Sequence, residues 1–195
     1  MSNWINNVDL LGDVLRSLIA TDHTGATIDY NHAFECWKNN ALKVRSARQK
    51  VFLVGNGASA SMASHIAADL AKNAHIYAEV FSDLSLITAI ANDISYEEVF
   101  AEPVRRRMVS GDMLIAISSS GQSPNIIRAI KEAKRMGGQV VTLSAMRSEN
   151  LSRKEGDLNF FVPAKTYGMA ESCHATILHY WVYQMVEAIT KTDAI

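Results

Sequence analysis

The stretch V-F-L-V-G-N-G-A-S-A, from Val51 to Ala60, places a short apolar run directly before a loop of Gly, Asn and Ser. A second stretch, M-L-I-A-I-S-S-S-G-Q-S from Met113 to Ser123, repeats that arrangement. Each apolar run has the length of a buried strand, and each loop opens into a helical pattern. A strand that ends in Gly and Ser and then starts a helix presents free backbone N–H groups, and the helix dipole favours negative charge there. Two such loops in one chain point to a single ligand that carries a phosphate.

Outward from these loops, strands alternate with helices. Apolar spacing predicts helices from about Val8 to Ile19 and from about Asn31 to Gln49, the second carrying Phe34, Trp37, Ala41 and Val44. Strand Val51 to Val54 leads to a helix that Ser59 or Ser61 would cap and that runs to about Asn73. A looser region follows, with a short strand near Tyr77 to Phe81 and a short helix near Ser85 to Ala91. Tyr96 to Val109 reads as a helix in which Pro103 allows a kink or a restart. After strand Met113 to Ile117, Pro124 suits the first turn of a helix ending near Gly137 and Gly138. Strands are expected at Gln139 to Leu143 and Asn159 to Val162, and a long last helix from Tyr167 to Thr190. The strands lack two-fold alternation, as strands buried on both faces do, so the class is α/β with a parallel sheet covered by helices. Residues 1–49 form a helical arm that packs on the domain or on another subunit, and residues 50–195 form the domain.

The bulk numbers fit one globular domain: 195 residues, 48% hydrophobic and 20% charged. A net charge of −1 gives no electrostatic case for nucleic acid or a membrane surface. Cys36 and Cys173 have no metal or redox spacing, which fits a reducing cytoplasm. Met1 to Asp9 lacks the basic start and apolar core of a signal peptide, and the apolar runs are too short to span a bilayer.

The first loop, Gly55-Asn56-Gly57-Ala58-Ser59-Ala60, partly matches a dinucleotide fingerprint, with Glu79 near the place of the acidic partner. No G-K-[ST] follows, so it is not a P-loop. The second loop sets Ser118, Ser119, Ser120 and Ser123 beside Gly121 at a helix start. Clustered hydroxyls beside a sheet need acceptors, and a phosphate monoester supplies three oxygens. With no Lys or Arg inside the loop, N–H groups, hydroxyls and the dipole would do the holding.

His65 and Asp69 stand four apart and share a helix face. The last helix carries Glu171, His174 and His179 among apolar residues, and polar groups so placed need partners. Glu171 and His179, eight apart, would point about 80° from each other and line one pocket from two turns. Cys173 reads as a packed thiol. Two imidazoles and two carboxylates make a zinc-type donor set and equally an acid–base set, and spacing alone does not separate the two.

V-G-N-G-A-S-A-S-M-A-S-H with a carboxylate four residues on, I-S-S-S-G-Q-S, and E-x-x-H-x-x-x-x-H near the end together resemble the sugar isomerase (SIS) domain, and within it the phosphoheptose isomerase branch. The resemblance covers residues from about 30 to 190. It implies a three-layer flavodoxin-like fold with a five-stranded parallel sheet, and a homotetramer with active sites between subunits. It implies a sugar-phosphate substrate, with phosphate held by Ser118, Ser120 and Ser123, and Asn56, Gly57 and Ser59 along the sugar. Asn92 and Asp93 match a pocket-lining pair, Asp69 and His179 match the catalytic pair, and His65, Asp69, Glu171 and His179 match the zinc ligands.

The family usually has Glu at Asp69 and Gln at Glu171, an Arg-Ile pair near Met169 and Ala170, and a second glycine at Ala58. The resemblance implies ketose–aldose isomerisation of sedoheptulose 7-phosphate through an enediol. Its rivals are a non-catalytic SIS protein that binds a sugar phosphate or a replication-initiator protein, an isomerase of another sugar phosphate and, more distantly, a dinucleotide-dependent enzyme.

Overall fold

The computed structural model describes residues 3–193. The apolar runs become adjacent parallel strands: β3 (Lys50–Gly55), β4 (Tyr77–Val80), β5 (Met113–Ser118), β6 (Gln139–Ala145) and β7 (Leu158–Val162). These are the five parallel strands that the resemblance implies. The sheet is wider, however, because β1 (Ile19–Asp22) and β2 (Thr27–Ile28) add an antiparallel hairpin beside β7, giving the order β2-β1-β7-β6-β5-β3-β4. The leading segment is therefore not helical throughout.

Alternate residues of the central strands face opposite layers. Val51 and Leu53 of β3 join a core with α2 (Tyr30–Ser46), α3 (Ala58–Asn73) and α8 (Tyr167–Asp193), while Phe52 and Val54 join a second core on the other face. That second core takes in α4 (Leu84–Asp93), α5 (Ala101–Arg107) and α6 (Pro124–Arg135). Helix α1 (Trp4–Arg16) has Leu11, Val14 and Leu15 against the first core. In that core the Trp37 and Trp181 rings stack with centroids 4.1 Å apart, and both residues are wholly buried.

Local details depart from the sequence reading where short-range chemistry decides. Neither Ser59 nor Ser61 caps α3; the cap is Gly57, whose φ of 57° a side chain would strain. The segment from Tyr96 splits into a 3₁₀ turn, Tyr96–Glu98, and α5, whose first turn holds Pro103. A five-residue helix, α7 (Leu151–Glu155), was not expected, and it follows β6.

From β3 the chain crosses to β4 on one side, and from β5 to β6 on the other. The sheet order thus reverses between β3 and β5, and a parallel sheet opens a crevice at the carboxyl ends of such neighbours. Both Gly/Ser loops leave the sheet there, with Gly55 in register with Ile117.

Candidate functional site

At that crevice a cavity of about 220 Å³ is lined by Asn56, Ser59, Ile117, Ser118, Ser119, Ser120, Ser123, Tyr167 and Glu171. Ser59, Ser118 and Ser119 are buried. Ser123 is the N-cap position of α6, yet its hydroxyl makes no capping bond. Among the described residues the hydroxyls of Ser59, Ser118, Ser119 and Ser123 have no protein partner, while Ser120 Oγ accepts from Gln122 N–H at 3.3 Å. Uncommitted donors at a helix start, with no cationic side chain in the lining, suit an anion held by dipoles.

The loop is held from behind. Ser152 donates its N–H to the Gly121 carbonyl at 3.0 Å, and the Asn150 side chain caps α7 and reaches Ser144 Oγ at 3.0 Å. Gly121 has φ 62°, and a Cβ there would meet Asn150 Oδ1 at 2.2 Å, so only glycine fits. Asn150 and Ser152 were missed in the sequence because α7 is too short to show a period.

A second group lies along α3. His65 Nε2 is 3.5 Å from Asp69 Oδ2, and His179 Nδ1, brought in by α8, is 3.9 Å from the same oxygen. The two imidazole rings sit 5.3 Å apart, and one ligand atom from each of the three residues falls within 4.8 Å of the others. At 3.9 Å the His179 contact is too long for a hydrogen bond, and this buried nitrogen has no partner. An orphaned ring nitrogen facing a carboxylate and a second imidazole is a donor set that could hold a divalent ion.

Glu171 is not in that group; it lines the serine cavity beside Tyr167. Eight helical residues separate it from His179, about 12 Å along the axis, so the two share an ion only if both side chains lean together. Asn92 and Asp93 end α4, exposed, with Asn92 Nδ2 bonded to Asp93 Oδ1 at 2.8 Å, and neither lines the cavity. Gly57 and Asn56 also border a neighbouring cavity of about 190 Å³ with Tyr96 and Phe100.

His174 lies elsewhere on α8, fully buried, and neither ring nitrogen has a well-formed hydrogen bond. Burial pushes its pKa from 6.5 to about 4, against a weak opposing pull from the Ser144 backbone. Burial likewise raises the Cys173 thiol. The depressed histidine has a consequence for stability. Below the unfolded pKa the unfolded chain takes up a proton that the folded chain refuses, so stability is full above about pH 6.5 and is lost as pH falls towards 4. The loss amounts to about 3 kcal/mol. Urea unfolding at pH 7 and pH 4.5 should show a larger drop for the wild type than for His174→Met; equal drops would rule this out.

The SIS domain family matches residues 32–145. The phosphoheptose isomerase of Thermodesulfovibrio yellowstonii is 37% identical over 136 residues, covering 67% of each chain. That of Maridesulfovibrio salexigens is 35% identical over 148 residues, covering 72% of each. Among solved structures, phosphoheptose isomerase from Neisseria gonorrhoeae superposes with a TM-score of 0.73 at 28% identity, over 79% of this chain and 86% of that one. At 18% identity, the Vibrio vulnificus NanR protein complexed with ManNAc-6P covers 96% of this chain and 61% of that one, with a TM-score of 0.66, and shares the fold. The extent of the domain match and the identity to curated relatives place the chain in the phosphoheptose isomerase family of SIS-domain proteins.

Proposed function

We propose that the chain interconverts sedoheptulose 7-phosphate and D-glycero-D-manno-heptose 7-phosphate in the cytoplasm. The observation that carries this reading is the hydroxyl-lined cavity at the β3/β5 crevice in a chain of this family. Ser118, Ser119, Ser120 and Ser123 bind the phosphate, and Asn56, Gly57 and Ser59 run along the sugar. Remote binding energy thereby serves to position the reacting carbons. Asp69 takes the proton from the carbon next to the carbonyl, and His179 moves protons on and off the two oxygens as an enediol forms. His65, Asp69 and His179 would hold a zinc ion, and Glu171, the fourth ligand that the family pattern implies, would join them only by leaning out of the serine cavity. When bound, the ion supplies Lewis-acid polarisation of the carbonyl and offsets the negative charge that develops on its oxygen.

The sites are proposed to lie between subunits of a homotetramer, with Asn92 and Asp93 reaching a neighbour's pocket. Along α3, His65 is six residues and Asp69 ten residues past Ser59, about 9 and 15 Å. That separation favours a cavity of one chain meeting the His/Asp group of another. Helix α1 supports assembly, since Trp4 and Leu10 are 73% and 52% exposed while Leu11, Val14 and Leu15 pack inward.

Turnover of sedoheptulose 7-phosphate in heavy water tests the reading. Deuterium should appear at carbon 2 of the aldose product; absence of both turnover and exchange would sink it. Light scattering of the same preparation should give a mass near four chains, and elemental analysis stoichiometric zinc. A monomer, or protein free of zinc at full activity, would remove the corresponding part.

A further inference from the structure

Asn125, the second residue of α6, is 2% exposed and joins the two loops. Its Nδ2 donates to Asn56 Oδ1 at 2.9 Å, and Asn56 Nδ2 donates back to Asn125 Oδ1 at 3.0 Å. Two further contacts make this pair asymmetric. The Ile126 backbone N–H donates to Asn125 Oδ1 at 3.0 Å. A backbone N–H only donates, so the Asn125 atom that faces it is the oxygen. This orientation in turn sets that of Asn56: its oxygen faces Asn125 Nδ2, and the Tyr96 hydroxyl donates to the same oxygen at 3.3 Å.

Counting the amide of Asn56 then gives its chemistry. Its oxygen has two lone pairs, and both are taken, by Asn125 and Tyr96. Its nitrogen has two protons, and one is taken by Asn125. The other N–H has no protein partner among the described residues, and Asn56 lines the serine cavity. We infer that Asn125 is a positioning residue that makes Asn56 a donor-only group, offering one N–H to an acceptor oxygen of the sugar. The inference rests on reading the cavity as a sugar-phosphate site.

The link has a mechanical meaning. Asn125 follows Ser123 and Pro124, so it rides on the helix start that receives the phosphate. The helix start and the amide on the first loop are therefore held in one fixed relation before any ligand arrives. A donor aimed at an oxygen that gains charge in the transition state acts more on kcat than on KM.

Two variants separate this role from simple structural support. Asn125→Asp keeps the oxygen that accepts from Ile126 N–H and from Asn56, but replaces the donor to Asn56 Oδ1 by an acceptor oxygen that repels it and carries a charge. Asn125→Ala removes all three bonds. Calorimetry would give the affinity of each for inorganic phosphate and for sedoheptulose 7-phosphate, together with kcat, KM and the melting temperature. In both variants the preference for sugar phosphate over inorganic phosphate should fall about 10-fold and kcat about 10- to 100-fold, less than the roughly 100- to 1000-fold of deleting a preorganised donor outright, since Asn56 itself remains. Asn125→Asp should melt below the wild type, because it buries a carboxylate, so kcat and the affinity ratio are compared at a temperature where every variant is folded. If the wild type prefers the sugar phosphate and both variants keep that preference and kcat, the positioning role is wrong. If the wild type itself shows no preference, the sugar-phosphate reading fails, and this inference with it.

Discussion

Asp69→Asn and His179→Gln will each lower kcat for sedoheptulose 7-phosphate by about 10³-fold, within the range expected of a positioned acid or base. The KM should change far less, because the hydroxyls of Ser118, Ser119 and Ser123 lie on another part of the chain. Asp69 Oδ2 is the oxygen that both imidazoles face, so the amide removes the base and weakens any ion held between them. Loss of deuterium exchange should parallel the loss of turnover, since one proton abstraction underlies both. Wild-type rates in either variant would refute the assignment. Asp69→Glu is a sharper probe, because the family usually carries the longer carboxylate there. One methylene moves the oxygens by about 1.5 Å, a displacement that can change rate by about 100-fold.

Trp181→Ala will destabilise the fold by about 3–5 kcal/mol, as large-to-small changes at buried aromatic sites do. Trp181 is wholly buried and stacks on Trp37 with an interplanar angle of 11°, and Trp37 in turn meets Phe160 of β7 at 5.1 Å. Removing one ring leaves a cavity between α2, α8 and the sheet. The melting temperature should drop by about 10 °C, at about 2–4 °C per kcal/mol for a chain of this size. Both indole N–H groups of the pair are buried without an acceptor. Trp181→Phe therefore gives up no hydrogen bond and should lose much less. Calorimetric melting of the two variants decides it, and equal losses would show that packing of the ring is not what counts. Activity should fall with stability in Trp181→Ala, since His179 is two residues away on the same helix.

The central strands were legible because β5 and its neighbours are continuous apolar runs bounded by turn residues. The hairpin was not. Ile19 to Asp22 follows a helical pattern without a break, and Thr27–Ile28 is two residues long, so pairing with β7 rather than local preference makes both strands. Helix α7 shows the same limit, with Ser152 its one buried residue. In the site, the loops and the His65–Asp69 pair follow from adjacent or i,i+4 positions. His179 reaches them only because α3 packs on α8, which no spacing within one helix reveals. Spacing suggested that Glu171 and His179 line one pocket. In the folded chain one faces the serine cavity and the other Asp69, because eight residues carry them about 12 Å apart. Asn125 gave no signal as a polar residue in a helix's first turn; it matters because that turn abuts another loop.

The hairpin of β1 and β2 also bears on how copies of the chain can meet. An open strand edge is a template for pairing with another chain. Here β1 occupies the β7 edge and passes the outermost place to β2, whose ladder is two residue pairs long. At the far side β4 is four residues long and carries Glu79, which engages Lys50 and Arg107. Neither flank offers a long, uncharged template for strand addition by a neighbouring molecule. If copies associate, helical surfaces such as α1, with Trp4 and Leu10 exposed, are what the fold leaves for it, and a two-fold pairing of such faces would close on itself.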